Sequence, residues 1–91
     1  MRELFYSKRF KKDFKKVSAN PNFKEQTLVY VLNSLVKNLT LETKYKDHKL
    51  TGELNDWREC HVQPDILLIY NIDQNNKVID LWRIGSHSDL F

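Results

Sequence analysis

Ninety-one residues, 41% of them hydrophobic and 30% charged, suffice for one domain around one core and leave no room for a second. The longest apolar run, Ile66 to Tyr70, is far short of the about 20 residues a membrane-crossing helix needs, and the lone Cys60 excludes an intrachain disulfide. No signal peptide is expected from the opening MRELF, and the cytoplasm is the expected compartment.

Charge is unevenly divided. The first fifty residues carry 12 Lys and Arg against 5 Asp and Glu, and the remaining 41 carry 3 against 7, within a net charge of +3. A basic half of this kind suits a polyanion or an acidic protein as partner.

In chain order, Leu4, Phe5 and Tyr6 suit a short N-terminal strand. Ser7 can cap a helix from Lys8 to Val17, in which Phe10, Phe14 and Val17 form one apolar stripe among lysines. Asn20-Pro21-Asn22 breaks it. Asn22 with Glu25 resembles a capping box for a second helix, expected to reach Leu39 because Leu28, Val31, Leu32, Leu35, Val36 and Leu39 keep helical spacing. Thr40 to Asp56 is a long connection, of the kind that often carries function. Then the period becomes two. Trp57 to Val62 alternates, Gln63-Pro64-Asp65 turns, Ile66 to Ile72 reads as a central strand, Asp73 to Asn76 turns again, and Val78 to Ile84 is a last strand ended by Gly85. The expected class is α+β in the order β-α-α-β-β-β, with two helices on one face of a mostly antiparallel sheet.

All three histidines, His48, His61 and His87, lie at element ends or in connections, outside the apolar stripes. Glu59 and His61 share a strand face while Cys60 points away, so Cys60 and His61 make no joint metal site and no zinc spacing is present. Asp65 follows Pro64 and can fold back beside His61. Arg83 ends a strand and can grip a phosphate, with Gly85 allowing a bend that presents His87. His48 sits in a basic aromatic stretch, in which Lys46 can hold a phosphate and Tyr45 can stack on a base. Neither a serine nucleophile with its base nor a glycine-rich phosphate cradle is present. Metal-free RNA cleavage needs only a base for the ribose 2′-hydroxyl, a cation for the crowded phosphorane and an acid for the 5′-oxygen. Imidazoles, Asp, Arg and Lys meet that need near neutral pH.

Tyr45-Lys46-Asp47-His48, Arg58 to Asp65, Leu67 to Tyr70 and Arg83 to Phe91, taken together, resemble the YafQ family, bacterial type II toxins of the RelE/ParE superfamily. The resemblance implies a RelE-like fold over residues 1–91 and an endoribonuclease that cuts mRNA in the A site of the 70S ribosome. It also implies a DinJ-like antitoxin, with DNA contacted only through that partner. No metal or other cofactor is expected. The family's acid–base residues fall on His48, His61, Asp65 and His87, its phosphate-binding arginine on Arg83 and its terminal aromatic on Phe91. Lys46 joins them as a substrate contact. Lys49 stands where the family often has proline, and Glu59 keeps an acidic position to which no role is assigned. Two alternatives remain: a ParE-like inhibitor of gyrase, for which acid–base histidines are unnecessary, and a non-catalytic RNA- or protein-binding module.

Overall fold

The computed structural model describes residues 1–91. Strand β1 (Glu3–Tyr6) leads into α1 (Lys8–Ser18), where the Ser7 hydroxyl accepts the Phe10 amide at 3.0 Å as an N-cap. Helix α2 (Glu25–Val36) is shorter than its apolar spacing suggests at both ends. Asn22 caps nothing; its own amide bonds the Asn20 side chain. At the other end Asn38 turns left-handed (φ 59°), and the Leu39 and Asn38 amides return to the carbonyls of Ser34 and Leu35. This is a Schellman stop, and it throws Leu39 into solvent.

The sheet has five strands in the order β1-β5-β4-β3-β2. Strands β3 (Arg58–Gln63), β4 (Ile66–Asp73) and β5 (Val78–Gly85) form the antiparallel meander read from the alternation, and β1 adds parallel to β5. The fifth strand, β2 (His48–Lys49), is two residues long and pairs antiparallel with β3 inside the stretch expected to be a connection. The chain closes with a short helix, α3 (His87–Leu90), capped by the Ser86 hydroxyl.

Both long helices cover one face of the sheet. Phe10 and Val17 from α1 and Leu28, Val31, Leu32 and Leu35 from α2 pack onto Cys60, Val62, Leu68, Tyr70, Ile79, Leu81 and Ile84. Burial of Cys60 pushes its thiol well above its ordinary pKa, so it is a core side chain and not a nucleophile. On the opposite face Leu67 and Ile69 are also buried, and the tilted rings of Trp57, just before β3, and Trp82, on β5, have centroids 4.8 Å apart. A bulge between Ile69 and Tyr70 resets the register so that Ile69 lies opposite Arg83 and Tyr70 opposite Leu81. Gly85 is needed for a reason other than a bend. A Cβ there would press on Leu90 Cδ2 at 3.3 Å, so the glycine lets α3 pack against the end of β5.

Candidate active site

Pairing register brings the first two histidines together. His48 lies directly opposite Glu59 across β2 and β3, and alternation along β3 turns Glu59 and His61 to the same face. His48 Nε2 is 3.6 Å and His61 Nε2 3.9 Å from the same oxygen, Glu59 Oε1. The Glu59 side chain is only 10% exposed and makes no hydrogen bond, so the two imidazoles are its nearest polar partners.

Each ring is oriented by a main-chain carbonyl. His48 Nδ1 lies 2.6 Å from the Lys46 carbonyl oxygen and His61 Nδ1 3.1 Å from that of Pro64. A carbonyl only accepts, so both Nδ1 atoms carry the proton and both Nε2 atoms are the exchanging positions. Lys46 offers its carbonyl because it sits left-handed (φ 50°) at the end of a 3₁₀ turn over Thr43–Tyr45. That turn is seated by Tyr45, which is buried against Tyr30 with ring centroids 5.8 Å apart. The Tyr30 hydroxyl donates to Glu42 at 3.0 Å, which raises the Tyr30 pKa.

Beside His61 runs an open groove of about 470 Å³, lined by Lys24, Lys44 and Lys46 with Thr27, Tyr45 and Gln63. Gln63 closes its far wall: its amide donates to the Asn22 carbonyl at 2.9 Å and its oxygen accepts the Lys24 amide at 2.7 Å. Three cations beside an imidazole make a surface suited to a phosphodiester chain.

Asp65, Arg83, His87 and Phe91, also singled out in the sequence, make no hydrogen bond or ion pair with this pair. Asp65 is exposed in the β3–β4 turn and makes no hydrogen bond; the Pro64 carbonyl, not the Asp65 carboxylate, folds back onto His61. Arg83 stands in the same cross-strand row as Glu59, with Ile69 between them. Its Nε and Nη2 donate to Asp13 of α1 at 2.7 and 3.1 Å, which raises its pKa and leaves Nη1 without a partner. Asp13 also accepts the Ile84 amide at 3.2 Å, where β1 no longer covers the edge of β5. His87 is exposed at the start of α3, and its ring lies 5.2 Å from that of Phe91. Gly85, two residues before it, is in register with Leu67 and through it with His61. The chain therefore leaves the sheet toward His87 at the same end as His61, with Gly85 roughly 10 Å from His61 across two strand spacings. Glu59 is the residue whose importance the sequence alone left unassigned. No group of three or more His, Cys, Asp and Glu side chains is arranged to hold a metal ion, and no helix is long and apolar enough to cross a membrane.

Two imidazoles over one carboxylate, beside a lysine-lined groove on a small α+β domain, define a candidate acid–base site on an anion-binding surface. The chain belongs to the YafQ family: the family described as bacterial toxin of type II toxin–antitoxin system, YafQ, matches residues 2–91. It is 37% identical to the mRNA interferase toxin YafQ of Escherichia coli K12 over 92 aligned positions, covering 99% of this chain and 96% of that protein. Among solved structures it resembles a metal-bound toxin from Helicobacter pylori, with 44% identity, full coverage of both chains and a TM-score of 0.91. It also resembles a chain of the E. coli DinJ–YafQ complex, with 35% identity, a TM-score of 0.87 and coverage of 100% of this chain and 99% of that one.

Proposed function

We propose that this toxin is an mRNA interferase, an endoribonuclease that cuts mRNA in the ribosomal A site by acid–base chemistry. The observation that carries the reading is the convergence of the His48 and His61 Nε2 atoms on Glu59, beside the lysine groove. One Nε2 takes the 2′-hydroxyl proton. The 2′-oxygen attacks phosphorus, the bond to the 5′-oxygen breaks, and an acid protonates that oxygen, leaving a cyclic phosphate. Glu59 offsets the charge of the imidazolium that forms. Lys46 and the free Nη1 of Arg83 face the developing phosphorane charge. His87 supplies the second proton transfer, Asp65 assists from the turn beside His61, and Phe91 stacks on a base.

The openness of the groove and the exposure of His87 and Phe91 support dependence on a ribosome. An outer scaffold would hold the scissile phosphate where the chain alone does not. The reading puts the activity in the cytoplasm. A DinJ-like antitoxin is the proposed partner, since the neighbouring structure is of a DinJ–YafQ complex. An apolar cleft of about 390 Å³ between α1 and α2, with Phe10, Phe14, Leu28 and Leu32 on its walls and Lys11 and Lys15 at its rim, suits an acidic amphipathic segment of such a partner.

The test is cleavage of mRNA on programmed 70S ribosomes. His61→Gln and His87→Gln are each expected to lose about 10²–10⁴-fold in rate, and free RNA is expected to be a poor substrate. Full cleavage by both variants would overturn the enzymatic reading in favour of a binding module, and gyrase inhibition with intact mRNA would favour a ParE-like toxin.

A further inference from the structure

We infer that Asp47, held by Arg58 and Tyr70, is the positioning residue that decides which face of the sheet the His48 imidazole occupies. The inference rests on the ribonuclease reading and goes beyond it, because Asp47 touches no residue of the site except through the chain.

Strand β2 is only His48–Lys49, with two register pairs to β3, so its own ladder fixes it weakly. The residue before it is fixed far better. Arg58 Nε and Nη2 donate to the two Asp47 oxygens at 3.3 and 3.2 Å, and the Tyr70 hydroxyl donates to Oδ1. Tyr70 belongs to the core under the helices and is fully buried. Arg58 is its partner across β3 and β4 and alternates with Glu59, so both anchors lie on the helix-covered side. Pinning Asp47 to that side sends the next side chain to the other one. There His48 meets Glu59. A slip of one residue would turn the imidazole toward the helices and set Lys49 against Glu59. The same anchor holds the Lys46–Asp47 peptide, and with it the Lys46 carbonyl that fixes the His48 tautomer.

The two groups that hold Asp47 each keep one charge state. Burial, and then the hydrogen bond to Asp47, push the Tyr70 hydroxyl well above its ordinary pKa, and Asp47 raises that of Arg58. A neutral phenol and a guanidinium therefore face Asp47 throughout the working range.

The experiment measures steady-state cleavage of mRNA on 70S ribosomes by the full chain, with circular dichroism to verify folding. Asp47→Asn is expected to lower kcat about 10–100-fold with KM for programmed ribosomes within about twofold, as misplacement of a reacting group does. Tyr70→Phe, which removes one hydroxyl and leaves the ring packed, is expected to lower kcat about threefold to tenfold. In a His48→Gln background both effects vanish, because no imidazole remains to be positioned. A purely structural role would instead leave them undiminished there.

Parental rates in folded Asp47→Asn and Tyr70→Phe, or undiminished effects in the His48→Gln background, would overturn the inference alone. A His48→Gln protein that cleaves at the parental rate would overturn it together with the catalytic role of His48. Should Asp47→Asn fail to fold, Tyr70→Phe in the two backgrounds decides the question.

Discussion

The two histidine-bearing ends of the molecule are built on different principles. At the β2–β3 corner, His48 and His61 each have Nδ1 tied to a main-chain carbonyl and Nε2 aimed at a carboxylate that is nearly buried. At the C-terminal turn, His87 and Phe91 are exposed, touch each other, and are held to the body by the Lys16–Asp89 ion pair at 3.0 Å and the packing of α3 on Gly85. The corner holds both Nε2 atoms in fixed orientation, as the proposed proton transfers require. The turn presents an imidazole and an aromatic ring on a short exposed helix with few ties to the body. Preorganisation at one end and adjustability at the other are what the proposed ribosome-dependent reading calls for.

The sharpest way to break this contrast is to remove the charge shared at the corner. Glu59→Gln keeps the shape of the side chain but leaves neither imidazole with an anion. Cleavage on programmed ribosomes is expected to fall about 10²-fold, comparable to the loss of a preorganised electrostatic partner, with the fold intact by circular dichroism. A Glu59→Gln protein as fast as the parent would make the corner no more preorganised than the turn.

What could be read in advance divides along the same physical line. The stripes Phe10, Phe14, Val17 and Leu28, Val31, Leu32, Leu35 follow from helical spacing and are the observed core contacts. The opposed faces of Cys60 and His61 follow from strand alternation. Features set by a long-range partner or a single backbone angle were not legible. Leu39 keeps the stripe's spacing, yet the left-handed Asn38 ends the helix before it. Strand β2 is too short to leave a periodic signal, and its place depends on Asp47 meeting Arg58 and Tyr70. Arg83 reads as a free phosphate ligand until Asp13, 70 residues earlier, is found holding it. Glu59 shares a strand face with His61 in any reading of the alternation, but its meeting with His48 needed the β2 register.

A smaller effect is expected at the turn. Lys16→Glu replaces the attraction to Asp89 with repulsion, and exposed ion pairs of this kind contribute little to overall stability. Thermal unfolding should hardly move, while cleavage slows about threefold as α3 loses one of its few ties, a modest misplacement by the standard of oriented reacting groups. Loss as large as that of Glu59→Gln would mean that the turn is as strictly placed as the corner, and the contrast would fail.

The smallest effect is confined to acid. Hydrogen bonds from Lys16 and then Ser86 hold the Asp89 carboxyl below its ordinary pKa. A carboxyl depressed in the folded chain stabilises it fully above the ordinary value of about 3.9 and loses that contribution as pH falls through the folded value. From pH 8 down to pH 5, therefore, the Lys16–Asp89 tie is constant and contributes no step to any activity profile. As pH falls through the depressed folded value it releases, and the NMR signals of the Phe91 ring, now packed at a tilt against His87, should move toward those of an unrestrained phenylalanine before the core unfolds. In Asp89→Asn the ring signals should already be shifted at neutral pH and show no further acid step. An identical acid step in both proteins would assign it to another carboxylate and leave α3 held by Gly85 packing alone.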